Sequence, residues 1–370
     1  MADGLNMSRR IRRTPYTDRV EIAGVKGFSV VNHMLLPKAY SRSVEEDYWH
    51  LREHVQVWDV SCQRQVQIQG KDAAELVQLM TPRNLTNAIV GNCLYVPLTD
   101  VAGGLINDPV LLKLSDDKYW LSIADSDVLL WAEGLALGKG LNVQLSEPDV
   151  SPLAIQGPKA DDLMASIFGE SIRKIGFFEF SWVFFKGTRQ LIARSGYSRQ
   201  GGFEIYLEGA HLGGELWDTV LEAGQQYNIA PGCPNLIERI EGGLLSYGNE
   251  MTRANNPLEI GLEKYCSLDG TVNYIGRKAI ENIAQKGPKR KIYGVLFDIP
   301  ACPTCSKPWV VKHGDVAVGQ ITSAVFSPRL EKNVGVGLVE KGYWTAGLEV
   351  SVTLPDGQIH RGQLSNLPFA

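Results

Sequence analysis

The chain is short of cysteine, of basic excess and of long apolar runs, and each shortage removes a class of function. Six cysteines in 370 residues are too few for a disulfide-stapled secreted scaffold. Lys and Arg number 37 against 41 Asp and Glu, a formal net charge of −4, so the basic stripe of an electrostatic nucleic-acid binder is missing. No apolar run reaches the roughly 18 residues that a membrane helix needs. Arg9, Arg10, Arg12 and Arg13 are followed by Pro15, Asp18 and Glu21. A secretory signal would continue into an apolar stretch, and a transit peptide would be Ser-rich and amphipathic. There is also no G-x-S-x-G nucleophile elbow. What remains is 44% hydrophobic and 21% charged, an ordinary globular composition with length for two or three domains. A cytoplasmic protein acting on a small molecule, away from nucleic acid and membrane, is the expectation; homo-oligomerisation is left open.

Two spellings invite a metal and neither sustains one. His50-Leu-Arg-Glu53-His54 puts two histidines one helical turn apart, as some zinc peptidases do, but no third ligand accompanies them and the segment reads as a packing helix. Cys302-Pro-Thr-Cys305 lacks both a second pair for zinc and the strand and helix of a thioredoxin site. The other four cysteines are scattered singly, as small buried hydrophobes are. No metal is expected.

The element pattern is mixed. Ser43 with Glu45 and Glu46 opens a helix whose apolar positions recur to Val55. Alternation over Gln65–Gln69 predicts a half-buried strand, and Gly70-Lys71-Asp72 then caps a helix from Ala73 to about Met80, stopped by Pro82. Strands with turns at Asp100–Gly104 and Ser115–Lys118 fill Tyr95–Ala124. Further helices are predicted near 128–137, from Pro158 to Phe168, and over 211–223, 236–247 and 277–285, with strands at 177–185, 190–194 and 203–207. The charged, breaker-rich stretch 285–291 is the best linker. Beyond it nearly everything reads as strand, with Gly335-Val-Gly337 a tightly packed one. The expected class is α+β, followed by a β-barrel or sandwich.

Three segments carry chemistry. Asp108 stands at a turn after Gly103-Gly104 and before an apolar strand. Gly201-Gly202 leads into Phe203-Glu204-Ile205-Tyr206, where period two puts Glu204 and Tyr206 on one face. A carboxylate and an aromatic there suit a planar heterocycle with ring N–H donors, and a solvated sheet face is the competing reading. Arg239 can anchor a carboxylate in bidentate fashion or pair with a glutamate of its own helix.

In order along the chain, Val57-Trp-Asp-Val-Ser61, Gly70-Lys-Asp-Ala, Gly103-Gly with Asn-Asp108, Gln156-Gly-Pro158, Gly196-Tyr197 with Gly202-Phe-Glu204-Ile, Arg239-Ile-Glu241 with Tyr247-Gly248, and Gly319-Gln-Ile-Thr-Ser323 with Ser327-Pro328 resemble the aminomethyltransferase family, the folate-dependent glycine cleavage T-proteins. Ser8-Arg-Arg-Ile-Arg-Arg-Thr-Pro15, Val31-Asn-His-Met34, Glu53–Asp59, Arg64-Gln-Val66 and Gly232–Arg239 resemble its sulfonium-demethylating branch. The chain departs from that branch at Tyr197, where the branch carries Trp, and from T-proteins at Arg199-Gln200, which replace acids.

The resemblance implies a three-domain cloverleaf with a central folate channel and a C-terminal β-barrel. Its domains would be 1–62 plus 149–237, then a ferredoxin-like 63–148 plus 238–287, then 288–370. It implies transfer of a methyl from the sulfonium of dimethylsulfoniopropionate to N5 of tetrahydrofolate, with aminomethyl transfer, another onium donor, or a folate-binding scaffold as alternatives. By matching position, Tyr95, Asp108, Phe178, Tyr197, Glu204 and Arg239 would hold folate. Asp108 and Tyr206 would serve catalysis, and Asn32, His33, Met34, Arg64 and Tyr206 would bind the donor.

Overall fold

The computed structural model describes residues 8–369. The chain divides into two compact units, one built from the chain up to Ala73, Ile89–Leu94 and Val110–Pro234, the other from Ala74–Ala88, Tyr95–Pro109 and Asn235 onward.

The first unit is layered. A six-stranded sheet runs in the order Phe180–Phe185, Thr188–Ala193, Gly202–Glu208, Val150–Gln156, Val55–Asp59, Ile229–Pro231, antiparallel except for the parallel last pair. Helices Thr17–Ile22, Ala160–Phe168 and Gly213–Gly224 cover one face, burying Tyr16, Val20, Leu163, Met164, Leu216 and Trp217 against Val57, Ile155, Phe203 and Ile205. Its other face meets a second sheet, ordered Gln144–Ser146, Gln65–Gln69, Lys118–Ser122, Val110–Ser115, Cys93–Tyr95. Leu112, Trp120 and Cys93 from that sheet pack on Phe180, Leu191, Ala193 and Tyr206. Strand Gly202–Glu208 is therefore buried on both faces, which removes the solvated-face reading of Glu204 and Tyr206.

The same stacking corrects the half-buried reading of Gln65–Gln69. Alternation predicted water over the glutamines, yet Gln65 is 0% exposed because the six-stranded sheet covers its end of the strand. Two other boundaries also shift. The helix after Ser43 has a complete capping box with Glu46 and stops at Glu53, so Val55 opens a strand instead. The helix expected over 236–247 spans only Leu236–Glu241, because Gly243 turns left-handed at φ 63° and Leu244 N–H closes onto the Arg239 carbonyl.

In the second unit, Arg290–Phe297, Lys332–Glu340, Val316–Ser327, Trp309–His313, Glu349–Thr353 and Ile359–Ser365 close a six-stranded barrel, which decides between barrel and sandwich. Gly337 lies so close to the Gln320 carbonyl that any Cβ would collide with it, so the Gly335-Val-Gly337 spelling serves tight strand packing. Cys302 and Cys305 are free thiols packed against the barrel core. No helix among the described residues is long and apolar enough to cross a membrane.

Candidate functional site

In the second unit, Asp108 is delivered by a hairpin. Strands Leu98–Thr99 and Leu105–Asn107 pair across the Asp100–Gly104 turn, which Asp100 Oδ1 holds by accepting from the Ala102 and Gly104 amides. Val96 N–H donates to the Pro109 carbonyl, which keeps Tyr95 beside Asp108. The Tyr95 hydroxyl donates to Asp108 Oδ2 at 2.7 Å. Asp108 Oδ1 is closed off from solvent and has no partner. Burial pushes the carboxyl up to about 7, against the opposing pull of the Tyr95 hydroxyl. The Tyr95 ring leans edge-on against Tyr265 at 5.4 Å, and Arg83 donates to the Tyr95 carbonyl while lying over the Tyr265 ring. A buried acceptor near neutrality, walled by aromatics, suits a donor-rich heterocycle.

In the first unit, Glu204 is 4% and Tyr206 0% exposed. Glu204 Oε2 accepts a 2.5 Å hydrogen bond from the Ser195 hydroxyl, and desolvation raises the carboxyl above its usual range. The Tyr206 ring sits 6.4 Å from Trp120, and its buried hydroxyl lies toward the Glu204 carboxylate and the Ser122 and Ser195 hydroxyls. Tyr197 rides on the loop 195–201, which Gln156 supports from below. Its Nε2 donates to the Ser195 and Phe203 carbonyls, and its Oε1 accepts from the Ser198 hydroxyl at 2.7 Å. Gly202, at φ 137°, leaves no room for a Cβ, which would strike the Ile155 carbonyl. Gly202→Ala is expected to cost on the order of 3 kcal/mol and to lower the calorimetric melting temperature. Phe178 adopts φ 60°, held by its N–H to the Arg194 carbonyl and by Cys93 N–H donating to its own carbonyl, so the backbone fixes where the ring projects.

The remaining predicted residues fall elsewhere in the units. Asn32 and His33, at φ 51° and 60°, make the two-residue turn between strands Gly27–Val31 and Met34–Ala39. Asn32 commits its amide to the Cys62 and Ala124 carbonyls and the Ser126 amide; His33 is exposed at the tip and Met34 is buried. Arg64 pairs with Glu147, which also binds Arg12 at 2.7 Å, yet Arg64 Nε is buried with no acceptor. Arg239 finds its glutamate outside its own helix. Its guanidinium, 9% exposed, bonds Glu250 at 3.1 Å and the Ser323 hydroxyl at 2.7 Å, so the ion pair is long-range and not the intrahelical one that spacing suggested. The His50 and His54 rings lie 5.1 Å apart, tilted by 57°, and His54 Nδ1 lies 2.9 Å from Lys159 Nζ. No group of three or more His, Cys, Asp or Glu among the described residues could hold a metal ion. Sequence reading gave no site role to Gln65, Ser122, Arg83 or Tyr265, because contacts made across strands and loops leave no local pattern.

The GCVT N-terminal domain model matches residues 16–270, and the glycine cleavage T-protein C-terminal barrel domain model matches 290–370. The chain belongs to the glycine cleavage T-protein family. Its barrel is thus the family's C-terminal barrel. Among curated T-protein relatives, the dimethylsulfoniopropionate demethylase DmdA of Ruegeria pomeroyi is 49% identical over 95% of both chains. An aminomethyltransferase of Symbiobacterium thermophilum is 30% identical over 90% of this chain and 91% of its own. The crystal structure of the glycine cleavage system aminomethyltransferase T from Bartonella henselae superposes with a TM-score of 0.85 at 24% identity, covering 97% of this chain and 98% of that one. The T-protein fold is common to all of it.

Proposed function

We propose that this chain is a tetrahydrofolate-dependent demethylase of dimethylsulfoniopropionate. The observation that carries the reading is the 49% identity to the Ruegeria pomeroyi demethylase, sustained over 95% of each chain. When bound, tetrahydrofolate supplies N5 as the methyl acceptor, and the products are 5-methyltetrahydrofolate and 3-(methylthio)propanoate. A sulfonium already carries a good leaving group, so what the protein must provide is positioning in a dry site.

The residues fit such a cosubstrate. Asp108 Oδ1 is a buried acceptor lacking a donor, as a site for ring N–H groups requires. Because Tyr95 occupies Oδ2, Oδ1 is the atom left to accept from the ring or to take up a proton near neutral pH. In the first unit Glu204, fixed by Ser195, is a carboxylate for folate nitrogens with Phe178 and Tyr197 as packing residues, and in the second unit Tyr95 packs beside Asp108. Tyr206 faces the sulfonium with its ring, a cation–π contact of about 1–2 kcal/mol when desolvated. That attraction fades as the methyl leaves and the charge is lost, so it favours binding over turnover. Arg64, with its unpaired Nε–H, is the anchor for the donor's carboxylate, and the turn of Asn32 and His33 with Met34 borders it. Arg239 is assigned to the internal pair with Glu250 rather than to the folate tail.

The chain is read as three domains, 1–62 plus 149–237, 63–148 plus 238–287 and 288–370, supported by one sheet in each (six-stranded, five-stranded and barrel), the first two stacking within one compact unit. Free thiols at all six cysteines accord with a reducing cytoplasm.

Anaerobic incubation of the protein with tetrahydrofolate and dimethylsulfoniopropionate, read by mass spectrometry, is expected to yield both products. Tight folate binding with no product would overturn the reading and turn attention to methylated amines and lipoyl-bound aminomethyl donors.

A further inference from the structure

The interface between the two sheets of the first unit is apolar over most of its area and polar at one end. At that end stand Gln65, Ser122, Tyr206, Ser195 and Glu204, each no more than 5% exposed. Gln65 Nε2 donates to the Gln63 carbonyl at 2.7 Å and to the Ser122 hydroxyl at 3.0 Å. A backbone carbonyl can only accept, so the orientation of the Gln65 amide is determined and Oε1 is the atom left over. That oxygen is buried and has no donor, whereas the Tyr206 hydroxyl lies toward the Ser122 and Ser195 hydroxyls. Leaving a buried acceptor unpaired costs stability, a cost that a ligand can offset.

The lining chooses the ligand's sign. A carboxylate, an amide oxygen and the faces of Tyr206 and Trp120 all present negative potential. The ammonium that approaches this aromatic pair, Lys118 Nζ, lies 6.0 Å from the Trp120 ring. It belongs to the far end of the strand, since Lys118 pairs with Gln69 whereas Ser122 pairs with Gln65.

We propose that Gln65 is a specificity-determining residue for the methyl donor, its side-chain carbonyl receiving the polarised methyl C–H groups of the onium cation. This assignment rests on the demethylase reading above. Gln65 thereby discriminates a charged sulfonium from the neutral thioether that remains once the methyl has gone, favouring substrate over product. C–H···O contacts to a carbonyl recur as weak bonds, and a cationic sulfur strengthens them by polarising its methyl groups.

The test uses the full chain carrying Gln65→Leu and Gln65→Glu, with dissociation constants for dimethylsulfoniopropionate, 3-(methylthio)propanoate and tetrahydrofolate. Gln65→Leu is expected to weaken sulfonium binding about tenfold while the constants for thioether and folate stay put. Gln65→Glu, which keeps an acceptor and adds charge, is expected to restore or sharpen the preference for the cation. Equal losses for sulfonium and thioether, or no loss for either, overturn the proposal, because a purely structural role would not sense charge. If Gln65→Leu does not fold, the Gln65→Glu variant decides alone: an unchanged ratio of sulfonium to thioether affinity overturns the assignment. If the wild type forms no product from dimethylsulfoniopropionate, the demethylase reading falls by itself. Binding of trimethylsulfonium then tests the acceptor, and equal affinities in wild type and Gln65→Leu overturn it.

Discussion

Asp108→Asn will lower kcat/KM for methyl transfer by about a hundredfold or more, the scale on which a positioned acid–base group contributes. Asparagine matches the carboxyl in shape and keeps an acceptor for the Tyr95 hydroxyl, so the loss will not come from unfolding. What disappears is an ionisable Oδ1 whose burial has pushed the group up to about 7. The sign follows from that direction. Below about pH 7 the free protein holds Asp108 protonated, whereas a carboxylate is the form that accepts ring N–H donors. Folate binding must then expel the proton, and affinity falls by up to tenfold per pH unit as pH drops. Calorimetry across pH 5.5–8 in buffers of different ionisation enthalpy will report proton release in the wild type. In Asp108→Asn the release will shrink to whatever Glu204, also raised by desolvation, contributes. A wild-type pH dependence that survives unchanged in the variant would remove Asp108 from this role.

Glu250→Ala is expected to be the most destabilising of the charge deletions. Arg239 and Glu250 have side chains 9% and 0% exposed, and Ser323 bonds both of them. Deleting the carboxylate leaves a guanidinium in a site that water scarcely reaches, a cost of roughly 3–5 kcal/mol. A second such clasp stands two residues further along the helix, where Glu241 accepts from Ser327 and Arg329. Together they tie the short helix Leu236–Glu241 to the barrel strand Val316–Ser327, so the loss will appear in the melting of the second unit. The double variant Arg239→Met, Glu250→Met removes both charges and is expected to recover much of the stability. Thermal melts of the three variants check this. A double variant no more stable than Glu250→Ala would mean that the geometry of the pair, rather than the stranded charge, is what matters.

Much of the architecture was legible along the chain, and the reasons are local. Strand Gln65–Gln69 and helix Ala73–Met80 were found to the residue, because side-chain period and capping residues act within a turn or two. The strand after Gly201-Gly202 and the hairpin before Asp108 were legible for the same reason: glycine marks the backbone conformations other residues resist. Asp108, Glu204 and Tyr206 could be picked out from position and alternation, and the family from segments in a common order.

Other features were decided only by the tertiary fold, since each depends on which surfaces meet. Three glutamines alternating with Val66 and Ile68 look alike in sequence, yet the six-stranded sheet lands on Gln65 and takes its oxygen out of water. Arg239 reads as a ligand anchor or an intrahelical partner until Glu250, beyond a glycine turn, reaches it. A run of strands after the linker is compatible with sandwich or barrel until the strand Arg290–Phe297 pairs with both Lys332–Glu340 and Ile359–Ser365. Period and capping determine what each segment becomes. Burial, and with it the neutral-range carboxyl at Asp108, arises only when segments far apart in the chain exclude water together.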